Sequence, residues 1–311
     1  MSPKPTTQCF LALLMMVSLA SYAAESPKET LESAWKSIAK PGETYLLKYE
    51  FKPGEVQSIV SDATMEFNNQ IGAMSMPMAM TLQSIITLKT LSVDEDGAAQ
   101  LELQVDSTEG EMSVMGQKQK MPPQMLQSNS DSIKVASNGQ WLQGGASFSP
   151  AVMGPSSPGA AMMMQSLFVL LPHEKKAPGE DWTQEAELEI PGASQKIKET
   201  VKSVLKDVVD MNGDKVAVIS TQCTRTGKDI ELDTSALSRG GTPMPPQAGE
   251  ITISETNQTR ELLIYLNLDQ GSVISVHEIS QMNNSFSGFG GTGQNIKTNM
   301  HADISLKTSK K

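Results

Sequence analysis

From Met74 to Leu88 apolar residues hold one parity: Met74, Met76, Met78, Met80 and Leu82, then Ile86 and Leu88. Ser75, Pro77, Ala79, Thr81 and Thr87 take the other. A period of two kept up for about fifteen residues places the apolar side chains on one face of an extended strand of roughly 50 Å. A strand that long needs partners of similar length, so this feature alone points to a large antiparallel sheet. Pro77 has no N–H to give a ladder, which predicts an edge strand or a bulge at that point.

Partners are legible on both sides. Ile59, Ala63, Met65 and Phe67 share a parity upstream, and residues 68–72 (NNQIG) read as the connecting turn. Asp96 and Gly97 form a hairpin signal, after which Ala99, Leu101, Leu103 and Val105 return. Near the C-terminus, strands over Leu262–Asn267 and Val273–Ile279 flank a turn at Asp269-Gln270-Gly271, and a strand over Ile296–Leu306 follows the loop Ser287–Gly293 (SGFGGTG). That loop lacks the Lys-Ser/Thr pair of a phosphate cradle and lies between strands, so it reads as a hairpin tip.

The hairpin pattern occurs twice. Residues 84–97 (SIITLKTLSVDEDG) align without a gap with residues 200–213 (TVKSVLKDVVDMNG), and 137–142 (SNGQWL) resembles 268–273 (LDQGSV). The second copy is longer, and the extra residues fit a Gly/Pro-rich insertion over 225–250. The expectation is an all-β fold with long antiparallel strands in two related units, 41–177 and 178–311, curling into a barrel or a half-barrel. One helix is expected before them, at 24–40. Ser26 can cap it, Pro27 suits its first turn, and Leu31, Trp35 and Ile38 share a face.

The first 23 residues read as a cleavable export signal: Lys4, an apolar run over Phe10–Leu19, then Ser21, Tyr22 and Ala23 as a cleavage site. The run is too short to span a bilayer, which takes about 20 residues. The expected location is therefore periplasmic or secreted, with cleavage near Ala23 and no transmembrane span. The remaining chain carries 24 Lys and Arg against 35 acids, a net −11, with no basic cluster. Nucleic acid is not an expected partner. Cys223 is left as the lone cysteine, so no internal disulfide forms, and a buried thiol is expected.

No catalytic constellation stands out. His173, His277 and His301 have no metal-ligand spacing, and there is neither a CxxC nor a GxSxG. Carboxylates such as Asp94, Glu95, Asp96, Asp207 and Asp210 fall in or near turns, where solvated acids are ordinary. No cofactor is expected.

The unusual component is methionine, with 20 in the chain. Met74, Met76, Met78, Met80 and the run Met162, Met163, Met164 are the candidate contacts for an apolar ligand, because thioether side chains adapt to varied partners. Core filling is the competing reading. Cu(I) binding is a remote one, since a single strand spreads its four sulfurs over about 20 Å and offers one ion two of them.

Several motifs together resemble a family of exported bacterial proteins of unknown function: residues 45–55 (YLLKYEFKPGE), the Met-x-Met strand, residues 115–120 (MGQKQK), and residues 171–182 (LPHEKKAPGEDW). The resemblance implies no activity and no catalytic residue. Residues 265–275 (YLNLDQGSVIS) are also similar to a hairpin of periplasmic lipoprotein carriers, which implies a concave apolar face. The leading expectation is an exported, non-enzymatic protein that binds a lipid or other apolar small molecule, or an envelope protein. Behind it stand a structural or interaction module with a closed core, an enzyme, and Cu(I) handling.

Overall fold

A computed structural model describes residues 35–121, 130–144, 165–188, 193–232, 251–289 and 294–310. Among these residues thirteen strands follow one another: β1 (Lys36–Ser37), β2 (Val56–Ile71), β3 (Met74–Val93), β4 (Ala99–Val114), β5 (Gln117–Lys120), β6 (Ser130–Val135), β7 (Trp141–Gly144), β8 (Asp181–Leu188), β9 (Ile197–Met211), β10 (Asp214–Leu232), β11 (Ile251–Asn267), β12 (Ser272–Phe289) and β13 (Gln294–Lys310). They form one antiparallel sheet in the order β1-β9-β10-β11-β12-β13-β2-β3-β4-β6-β7, with β5 beside β4 and β8 beside β9. The all-β expectation holds, and among the described residues the strands do not close into a barrel. The boundary expected near residue 177 is no break in the sheet, because β13 pairs with β2 from Ile296↔Ile71 to Lys310↔Gln57.

Local chemistry sets the turns. Asn212 (φ 57) and Gly213 (φ 93) are the two-residue link between β9 and β10, a backbone that Asn-Gly adopts at low cost. Gly72 (φ 59) opens the link between β2 and β3, so the turn is tighter than 68–72 and Asn68–Ile71 stay in the ladder.

Alternation then sorts the faces. Ile59, Ala63 and Met65 of β2 meet Ile86, Leu82 and Met80 of β3, and Leu88 meets Leu103 of β4. All of these are buried in one core on the inner face of the curled sheet. The far side of that core is chain outside the sheet: Tyr45, Leu47 and Tyr49 from one segment and Leu167, Phe168, Val169 and Leu171 from another. A smaller apolar cluster lies on the outer face, where Trp35 packs edge-on against Tyr265 (centroids 5.2 Å, 76°) beside Val209, Val216 and Val218.

Four local expectations are corrected. The helix was expected to run to residue 40. Residues 24–34 lie outside the described residues, and Lys36–Ser37 instead pair with Asp210 and Val209 at the margin of β9, an extended path that lays Trp35 over the outer cluster. The insertion does not begin at Arg225. Residues 225–232 continue β10 against β11, and 233–250 lie outside the described residues. Pro77 sits neither at an edge nor at a bulge of the β2–β3 ladder. It lies opposite Asn68 inside β3, near the hairpin end, where its carbonyl accepts from Met115 N–H (3.1 Å). Ser287–Phe289 belong to β12 rather than to a glycine-rich loop.

Candidate binding cavity

The inner face has two chemistries. On β9 to β12 the inward parity carries polar and charged residues among the apolar ones. Glu199, Arg225 and Gln258 lie side by side on β9, β10 and β11. Arg225 donates from Nε to Glu199 Oε1 (2.6 Å) and from Nη1 to Gln258 Oε1 (3.1 Å). One step along, Arg260 of β11 forks onto Glu278 of β12, Nε to Oε1 at 2.8 Å and Nη2 to Oε2 at 2.7 Å. Ser166 donates to the same Oε2 at 2.5 Å. All five of these charged and amide side chains are buried, and Glu278 is wholly so.

Burial alone would raise the Glu278 pKa. The Arg260 charge, its hydrogen bonds and the Ser166 hydroxyl outweigh that and hold the carboxyl below its usual range. Arg260 is driven the other way: desolvation lowers its pKa, Glu278 raises it, and the net is up. The pair therefore spends its charges on each other. Cys223 stands directly opposite Arg260 and is buried. Desolvation pushes its thiol up to about 11, so it is a thiol and not a thiolate at neutral pH.

Where strands fail to close the sheet, two strap segments do. Tyr49 and Val169 exchange hydrogen bonds: Tyr49 Oη donates to Val169 O (3.2 Å) and accepts from Val169 N–H (3.1 Å). Tyr49 N–H donates to Ser137 O in the β6–β7 turn, and Leu171 N–H donates to Asn138 O, both close to 2.8 Å (2.7 and 2.8 Å). On the opposite margin Gln184 of β8 donates from Nε2 to Leu171 O (3.1 Å). Gly139 is required here. Its φ is 86°, and a Cβ on it would lie 2.2 Å from Val169 O.

Between the straps and the inner face lies a cavity of about 580 Å³. Trp141 on β7 and Gln184 and Ala186 on β8 line it, so both margins of the sheet reach the same space. Phe168, Val169 and Leu170 give it an apolar side, and Glu199, Arg225, Arg260 and Cys223 a polar one. Among the described residues two polar groups in this region lack a full set of partners. Gln184 Oε1 is buried and accepts no hydrogen bond from a described residue, and Arg225 Nη2 takes no part in that arginine's two bonds. A broader groove of about 830 Å³ elsewhere on the sheet is bordered by Asp62, Glu109, Glu111 and Asp303 with Lys120. Among the described residues no three of His, Cys, Asp or Glu gather as a metal site would need.

Four of the expected ligand contacts, Met74, Met76, Met78 and Met80, lie away from this cavity. Met80 is buried in the core, Met76 and Met78 are half-buried, and Met74 at the hairpin end is 64 % exposed. None of the four borders the cavity. Met162, Met163 and Met164 lie outside the described residues. His173 reaches the cavity rim, and His277 pairs with Asp303 (Nε2 to Oδ1, 2.8 Å). Sequence reasoning missed Glu199, Arg225, Arg260 and Glu278. The available signal was their parity: each takes the inward position of a strand whose neighbours at that parity are apolar.

No family model matches the chain, and no curated protein matches it. Solved structures to which it is similar include OccK7 (OpdD) of Pseudomonas aeruginosa, with 6% identity and TM-score 0.28 over 83% of this chain and 100% of that one. The translocator domain of the autotransporter NalP from Neisseria meningitidis shares 7% identity at TM-score 0.21, over 81% and 88%. OccK11 (OpdR) of Pseudomonas aeruginosa shares 7% at TM-score 0.20, over 85% and 100%. Likeness of this degree carries no argument, and the all-β assignment rests on the strands themselves.

Proposed function

We propose that this is an exported, non-enzymatic binding protein whose ligand is a small amphiphile held where the sheet fails to close. The observation that carries the reading is the two-sided cavity. At about 580 Å³ it falls within the range of small-molecule sites, roughly 300–1,000 Å³. Phe168, Leu170 and Trp141 suit an apolar tail. Arg225 Nη2 suits an acceptor on the head group and Gln184 Oε1 suits a donor, as in a carboxylic acid or an alcohol. This narrows the expected apolar ligand to one with a hydrogen-bonding end. Export rests on the Lys4–Ala23 pattern.

The test is native mass spectrometry of the mature protein from its own host, with titration by a fluorescent fatty acid. The expected result is a copurified mass, or saturable uptake that Ala186→Trp abolishes while the melting temperature is kept. A clean apo mass together with no uptake sinks the proposal and favours a closed structural module.

A further inference from the structure

Across β12 to β4 the inner face changes from charged residues to thioethers. Met282 lies opposite Met300, Met65 opposite Met80, and Met80 in turn opposite Met112 of β4. Met78 follows on β3, two residues from Met80. One strand alone offers an ion two sulfurs, and the register adds a third from the neighbouring strand. Opposed Cβ atoms stand about 5 Å apart, and positions two apart on a strand about 7 Å. Ligand sulfurs at about 2.3 Å from an ion must come closer than that, which the flexible, unbranched methionine side chain permits.

We propose that Met78, Met80 and Met112 form a thioether site for a soft monovalent cation, Cu(I), with Met65 behind Met80 as a further sulfur. Thioethers select such an ion over Zn(II), Mg(II) or Ca(II) because they are soft and uncharged. They also carry no proton, so binding releases none and is insensitive to pH, unlike a His or Cys site. Access is provided by Met78 and Met112, which are half-buried, while Met65 and Met80 are buried. Among the described residues Asn69 Nδ2 reaches Met78 Sδ only weakly, at 3.9 Å. The site is independent of the cavity, whose thiol lies on β10, four strands from β2 in the sheet order.

The experiment uses the mature chain carrying Cys223→Ala, so that no thiol competes. Cu(I) is titrated anaerobically against a chromophoric chelator, and Ag(I) is used in native mass spectrometry. The expected result is one equivalent bound, with the same affinity at about pH 5 and about pH 8. Met78→Leu/Met80→Leu/Met112→Leu is expected to weaken it about a hundredfold or more, and Met74→Leu/Met115→Leu to leave it unchanged. If the triple variant misfolds, Met112→Leu alone, at a half-buried position, is expected to cost about tenfold. No one-to-one complex, unchanged binding in Met112→Leu or in a folded triple variant, or nitrogen and oxygen ligands in the X-ray absorption spectrum, overturns the proposal.

Discussion

Truncating Glu278 to alanine tests the buried pair most directly. The carboxylate is 0% exposed and takes two bonds from Arg260 and one from Ser166. Without it the guanidinium, 4% exposed as a side chain, keeps its charge with no carboxylate bonded to it, and the nearby Glu199 is already held by Arg225. Breaking one side of such a pair costs about 3–5 kcal/mol, chiefly the penalty of the stranded charge. Removing both partners removes the charge as well, so Arg260→Met/Glu278→Leu is expected to lie within about 1 kcal/mol of the parent or above it. The cycle of Glu278→Leu, Arg260→Met and their double variant should therefore give a coupling of about 3 kcal/mol or more, larger than the 0.5–3 kcal/mol common for neighbours. The assay is urea unfolding followed by tryptophan fluorescence, with m-values compared to confirm that the same surface unfolds. A loss below about 1 kcal/mol in Glu278→Ala would refute the reasoning, because it would mean that water reaches the guanidinium and shares its charge.

Three further outcomes follow from other parts of the molecule. Gly139→Ala combines a left-handed φ with a 2.2 Å clash against the strap, whereas Gly213→Ala has the strain and open space. The second should cost about 1–2 kcal/mol, the first clearly more, and only the first should disturb ligand uptake; equal effects would mean that the strap does not press on the β6–β7 turn. The Glu278 carboxyl is depressed in the folded state, so its contribution is fully present above the unfolded value of about 4.3. It is lost as pH falls through the lower folded value, and Glu278→Gln should flatten that part of the stability-against-pH curve. Cys223, with a thiol near 11 against about 8.5 when free, should react with a thiol reagent at pH 8 at least about a hundredfold more slowly when folded than in urea. Equal rates would place it at the surface.

Much of the sheet is legible because burial on one face writes period two directly into the residues. The alternation of Met74–Leu88 identifies β3, and Asn212-Gly213 and Asp96-Gly97 mark their turns by the φ > 0 conformations that Asn and Gly tolerate. Trp35 and Ile38 mislead, because a spacing of three fits a helical face and can equally divide between two faces of an extended segment: Trp35 packs on the outer cluster and Ile38 on the inner core. The polar half of the cavity is harder to see. Arg225 borders a Gly/Pro-rich stretch and is taken into it, and Arg260 and Glu278 look like solvated charges until β11 and β12 are set side by side. Ser166, their third partner, comes from a segment 112 residues away from Glu278, and no local pattern announces a contact of that kind.

The seam between β13 and β2 has a consequence in time. Every other long ladder joins strands that are consecutive among the described residues, so it can form as soon as its second strand is made. The seam joins Ile296 to Ile71 and must wait for almost the whole chain. Until then β2 presents a sixteen-residue unpaired edge with an apolar face beside it. Non-local pairing of this sort is slow, and the exposed edge is an invitation to pair with the wrong molecule. For this fold the dangerous interval is the one before the last strand arrives, and the rate at which that strand finds its place sets how long the chain needs protection.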